Sequence, residues 1–287
     1  MERKDYLDTL KGIAIFLVVF AYFEIYAPLK NLIYTFHMPL FMFLSGCTFF
    51  YNYSRQNAGN LKDLTVFMLK KARALLVPYL FFVLMARFLF GFHGQGVKAV
   101  FLDFAIDFKT LQSLWFLPTL FGIQCVFSLW LFALKNDRPA DEKQKYALFS
   151  VLIMGSVAGL LVINRITQLE VFRKVAIYMI PFFVGFSIEK NSFLKRICSS
   201  EVFCTLAIIF CCFLIPRYSM DDKGFAVLFL RLVLGILISL LLYKVFSAKQ
   251  SCLRKLPIQR FFFGGGQWKS MCFMHSLPHF LRRLTAI

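Results

Sequence analysis

Apolar residues in this chain come in long blocks, separated by short polar and basic stretches. The blocks run at about 12–29, 33–53, 74–92, 114–134, 146–163, 175–188, 202–216 and 225–243. Several approach the roughly 20 apolar residues a helix needs to cross a bilayer. A chain inside hydrocarbon must satisfy its own backbone hydrogen bonds, so blocks of this length read as helices. The pattern predicts an all-α fold: a polytopic integral membrane helix bundle of about eight or nine transmembrane helices. The blocks at 175–188 and 202–216 are short for a span, which tilt, local thinning or different limits would accommodate. The first block has acidic neighbours and no small-residue cleavage site, so it is expected to stay as a membrane helix.

The basic residues sharpen this picture. The N-terminal arm and the stretches 54–73, 135–145, 189–201 and 244–260 hold 20 Lys and Arg, against 8 in 27–32, 93–113, 164–174 and 217–224. That alternation predicts a cytoplasmic N-terminus. It also accounts for the net charge of +18 as membrane topology, with no nucleic-acid partner implied. Composition agrees: 59% of the 287 residues are hydrophobic and 38 are Phe, far from a soluble domain. The eight cysteines show neither paired zinc spacing nor a disulfide framework, and no metal site is expected.

Polar residues inside the apolar blocks are the candidates for chemistry, because such groups are costly at membrane depth. They concentrate in Tyr34–Gly46, where His37, Pro39, Ser45 and Gly46 interrupt Phe, Leu and Met. His37 is a candidate for working chemistry. Ser45 either lines a substrate path or bonds back to its own backbone. Arg87 and Arg231 also sit within apolar blocks, where they snorkel or face the bundle interior.

Four motifs in order, Tyr6-Leu-Asp-Thr-Leu-Lys-Gly12, Phe36-His-Met-Pro-Leu-Phe41 with Leu44-Ser-Gly46, Lys70-Lys-Ala-Arg-Ala-Leu-Leu-Val-Pro-Tyr79 and Leu114-Trp-Phe-Leu-Pro118, resemble the acyltransferase-3 family. That resemblance implies a bacterial inner (plasma) membrane protein that moves an acetyl group from acetyl-CoA onto a hydroxyl of a cell-surface or secreted glycan. The bilayer, the glycan or lipid-linked sugar acceptor and acetyl-CoA are the implied partners, with no cofactor permanently bound. The match is good over the first half, rests on hydropathy in the middle, and fails over the last twenty-odd residues.

Family members carry Arg or Lys and, eleven residues on, a His in the first helix, the His taking the proton from the acceptor hydroxyl. Here the pair is Lys11 and Tyr22, about 16 Å apart along one helix face. A phenol titrates near pH 10 and an imidazole near 6.5, so Tyr22 is a poor base at cellular pH. Catalytic candidates are therefore Lys11, Tyr22 and His37. Glu24 is either a headgroup-level acid or a substitute base.

The resemblance gives Lys70, Lys71 and Arg73 the phosphates of CoA, whereas topology alone makes them cytoplasmic anchors. Ser45, Glu24 and Trp115 are substrate-lining candidates. Trp115 also suits an interfacial belt, and Asp103 and Asp107 either line an acceptor path or form a solvated helix face. The expected division is an acyltransferase-like domain at 1–263 and an atypical tail at 264–287. Codons can be chosen for Gln267–Ser276 whose shifted frame reads Met-Glu-Ile-Tyr-Val-Leu-His-Ala, close to the family's own ending, so a frameshift near Gly264 is expected. Two alternatives stand beside the enzyme: a non-catalytic relative, and a transporter or flippase of lipid-linked sugars.

Overall fold

A computed structural model describes residues 5–20, 27–56, 60–90, 115–135, 141–214 and 225–248. These residues form nine helices: α1 (Asp5–Phe20), α2 (Ala27–Gln56), α3 (Leu61–Phe90), α4 (Phe116–Lys135), α5 (Glu142–Thr167), α6 (Glu170–Lys190), α7 (Ser192–Cys198), α8 (Glu201–Leu214) and α9 (Phe225–Ala248). No strand occurs among the described residues, as expected for an all-α chain. Five helices (α2, α4, α5, α6 and α9) contain spans long and apolar enough to cross a membrane. A sixth is formed if α7 and α8, bent by 57° at their junction, count as one. Tyr22, Glu24, Asp103, Asp107 and the tail 264–287 lie outside the described residues.

One boundary differs in a way that matters. The stretch 54–73 reads as a polar loop because of its charges, yet α3 begins at Leu61 and carries Lys70, Lys71 and Arg73 within it. The reason is amphipathicity. Leu64 and Phe67 are buried, while Lys62, Asp63, Lys70 and Arg73 are exposed, the division of an amphipathic helix into two faces.

The chain divides into two compact units, residues 1–48 with 184–287 and residues 49–183. In the first, α9 packs against both α1 and α8, and α7 packs against α8. Tyr6, Leu7, Leu10 and Ala14 form the buried stripe of α1. The Lys244 ammonium donates to Glu201 Oε1 at 2.8 Å, tying α9 to α8. Asn191 caps α7 by accepting the Phe193 N–H at 2.9 Å. Pro39 has no N–H to donate and leaves the Thr35 carbonyl without its helical partner. Gly235 of α9 approaches that spot so closely that a Cβ would lie 2.8 Å from the Thr35 oxygen and 2.6 Å from Pro39 Cγ.

In the second unit, α4 packs against both α3 and α5 over an aromatic core. The Phe127 ring meets Phe182 at 4.7 Å, Phe149 at 5.6 Å and Phe49 at 6.0 Å between centroids, edge-to-face arrangements that suit the ring quadrupoles. On α5, Phe149 and Ile153 are buried, whereas Val151, Met154, Leu161, Val162, Ile163 and Ile166 are exposed. So large an apolar face is a liability in water and is at home in lipid.

Candidate functional site

Within the polar stretch of α2, the hydroxyl side chains bond to the turn before them. Thr35 Oγ1 donates to the Asn31 carbonyl at 2.8 Å, Ser45 Oγ to Phe41 at 2.8 Å and Thr48 Oγ1 to Leu44 at 2.8 Å. Such back-bonds satisfy a hydroxyl inside an apolar bundle without a second helix. For buried Ser45 this is the local alternative expected from the sequence.

His37 is bound in the same way with a different chemical result. Its Nδ1 lies 2.7 Å from the Ile33 carbonyl oxygen, and the residue is only 6% exposed. A carbonyl only accepts, so Nδ1 carries the proton and the neutral ring keeps its lone pair on Nε2. The Tyr34 ring meets the imidazole edge-on at 5.4 Å. His37 is thus held in the tautomer that can accept a proton at Nε2.

Lys11 is half-buried on α1, beside the stripe formed by Leu7 and Ala14. The residue eleven positions on, Tyr22, falls outside the described residues, as does Glu24.

Sequence reasoning missed a densely bonded group in the first unit. Glu189, at the end of α6, has a side chain only 1% exposed. Its Oε1 accepts from the Tyr243 hydroxyl at 2.5 Å and the Tyr6 hydroxyl at 3.1 Å. Its Oε2 pairs with the Lys195 ammonium at 3.2 Å. The two phenol oxygens are 3.2 Å apart and their rings meet edge-to-face at 5.7 Å. Burial, reinforced by the nearby carboxylate, raises the Tyr6 phenol above its ordinary value, so it remains a donor. The one signal in the sequence is an acid closing an apolar block, with a lysine just beyond.

The second unit holds the cations and Trp115. The three cations do not share one environment. Lys71 turns inward, its ammonium 5.3 Å from the centre of the Phe67 ring, and burial lowers its pKa. Lys70 and Arg73 are exposed, on the same side of α3 as exposed Val66, Leu69, Val77 and Leu84. Trp115 precedes α4, and its carbonyl accepts from Thr119 N at 3.3 Å and Thr119 Oγ1 at 2.9 Å. Its ring packs on Tyr178 at 5.0 Å, with Lys174 Nζ 4.8 Å over its face. Among the described residues, no three His, Cys, Asp or Glu converge as a metal site.

Taken together, the first unit supplies an oriented imidazole, a lysine and a buried carboxylate, and the second supplies cations beside an aromatic surface. A family model described as "Acyltransferase domain" matches residues 4–265. No curated protein and no solved structure matches the chain.

Proposed function

This chain belongs to the acyltransferase domain family over residues 4–265, and from that premise we propose that it moves an acetyl group from acetyl-CoA to a hydroxyl of a cell-surface or secreted glycan. Its apolar helices make it a multi-pass membrane protein. The proposed setting is a bacterial inner membrane, with the N-terminus in the cytoplasm and eight or nine spans, in keeping with the 20-to-8 distribution of basic residues.

The observation that carries this reading is the orientation of His37, whose Nδ1 is occupied by the Ile33 carbonyl. Its Nε2 takes the proton from the acceptor hydroxyl as the oxygen attacks the thioester carbonyl carbon. The C–S bond then breaks, and CoA leaves as a thiolate that takes up a proton. Lys70, Lys71 and Arg73 are assigned to the phosphates of CoA, which is a substrate here, and Lys11 to charge developing near the reaction centre. Trp115 and Glu24 are assigned to the acceptor on the family resemblance, whereas the Ser45 hydroxyl is engaged by its own helix.

Tyr22 stands where family members carry their base, so transfer is expected to be slow. General-base catalysis supplies a factor of about 10² to 10⁴. The same substitution favours a second reading, a non-catalytic relative. Purified protein in nanodiscs, given labelled acetyl-CoA and a surface polysaccharide, distinguishes them. The expected result is slow transfer by the wild type, abolished in His37→Gln and raised in Tyr22→His. Absence of transfer by the wild type and by Tyr22→His alike would leave the non-catalytic reading.

A further inference from the structure

The Glu189 cluster lies outside the reaction just described, yet it joins the helices that carry its candidates. Tyr6 belongs to α1, five residues before Lys11. Tyr243 belongs to α9, and its ring meets Tyr6 at 5.7 Å and Phe43 of α2 at 5.6 Å, both edge-to-face. Phe43 is six residues beyond His37 on the same helix. Tyr243 therefore lies between the helix of Lys11 and the helix of His37. Its hydroxyl is fixed by the 2.5 Å bond to Glu189.

Glu189 is in turn held from two sides. Gly185, one turn earlier on α6, accepts the Cys47 thiol of α2 at 3.3 Å. Lys195 reaches back from α7 over the carboxylate, placed there by the Asn191 cap. A buried carboxylate requires such donors, since each one removed leaves charge without compensation. With both phenols and the ammonium in place, one carboxylate sets the position of α1, α7 and α9 together.

We infer that Glu189, acting through Tyr6 and Tyr243, is a positioning residue that fixes the Lys11 helix against the His37 helix. The inference rests on the roles given above to Lys11 and His37, but its geometric content can be measured without any activity. Nitroxide labels at exposed Phe16 on α1 and Leu29 on α2, in a variant with its native cysteines replaced, report the distance between the two helices. Labels at exposed Leu80 on α3 and Leu129 on α4 serve as a control within the second unit.

Glu189→Leu should broaden the α1–α2 distance distribution and leave α3–α4 unchanged. Tyr243→Phe keeps both ring contacts and loses only the hydroxyl, so it should broaden the first distribution less and still fold. In the transfer assay, both variants should lose kcat, by about 10²-fold for a shift near 1 Å at the reacting groups, with the KM for acetyl-CoA unchanged. An unchanged α1–α2 distribution in both variants overturns the inference. Equal broadening of both label pairs also overturns it, because Glu189 would then support the whole fold. If the wild type transfers no acetyl group, the proposed function fails, and the distances alone decide whether the lock exists.

Discussion

Gly185 lies so close to Phe43 that an added Cβ would stand 2.0 Å from the Phe43 carbonyl oxygen and 3.2 Å from the Cys47 nitrogen. Here α6 meets α2 backbone to backbone, the close approach that small residues allow in membrane bundles. Because the obstacle is main chain, no rotamer change relieves it.

Gly185→Ala should therefore destabilise the protein by at least the roughly 1–3 kcal/mol typical of an extra methylene in a packed core. Gly159→Ala on α5 is a matched control, since nothing lies within 4 Å of its added Cβ. Thermal melting in one detergent should give a lower midpoint for the first and no loss for the second. Equal midpoints would contradict the close approach at Phe43.

The orientation of α3 separates the cations assigned to the donor. Lys71→Ala should weaken acetyl-CoA binding by about 1 kcal/mol or more, as expected for a partly desolvated contact to a charged group. Lys70→Ala and Arg73→Ala, both on the exposed face, should each do less. Titration calorimetry on the single variants and the triple Ala variant checks this. Identical affinities throughout would return all three residues to membrane anchoring.

Burial also gives Lys71 a pH signature. Its pKa is lowered, so as pH rises it loses its proton before an ordinary lysine with a pKa near 10.4 would. Its share of donor affinity should fade over that earlier range, while Lys71→Arg, whose guanidinium stays protonated, should hold its affinity there. Parallel pH profiles for wild type and Lys71→Arg would show that Lys71 does not touch the donor.

Topology gives a test that requires no substrate. With basic residues distributed 20 to 8, Asn57 and Gln250 should both face the cytoplasm. Single cysteines at these positions in a cysteine-free variant should react with a membrane-impermeant maleimide only after the cells are opened. Labelling of either position from outside intact spheroplasts contradicts the proposed orientation.

What could be read from the sequence was local. Apolar blocks marked α2, α4, α5, α6 and α9, because lipid selects long apolar runs. The Ser45 back-bond was foreseeable for the same reason, its partner Phe41 being one turn away. The start of α3 was hidden because charge on an amphipathic helix reads as a loop when only hydropathy is followed. Glu189 was hidden more deeply: its phenol donors stand 183 and 54 residues away along the chain. No local pattern records a hydrogen bond of that span.

That separation bears on how the protein is made. The Tyr243 hydroxyl is synthesised 237 residues after the Tyr6 hydroxyl beside it. Until α9 is made, α1 lacks the Tyr243 contact and Glu189 lacks one of its two phenol donors. Contacts so distant in the chain form late and slowly. Closure of this cluster therefore has to follow the synthesis of α9, and until then a carboxylate that the folded unit buries lacks its full set of donors.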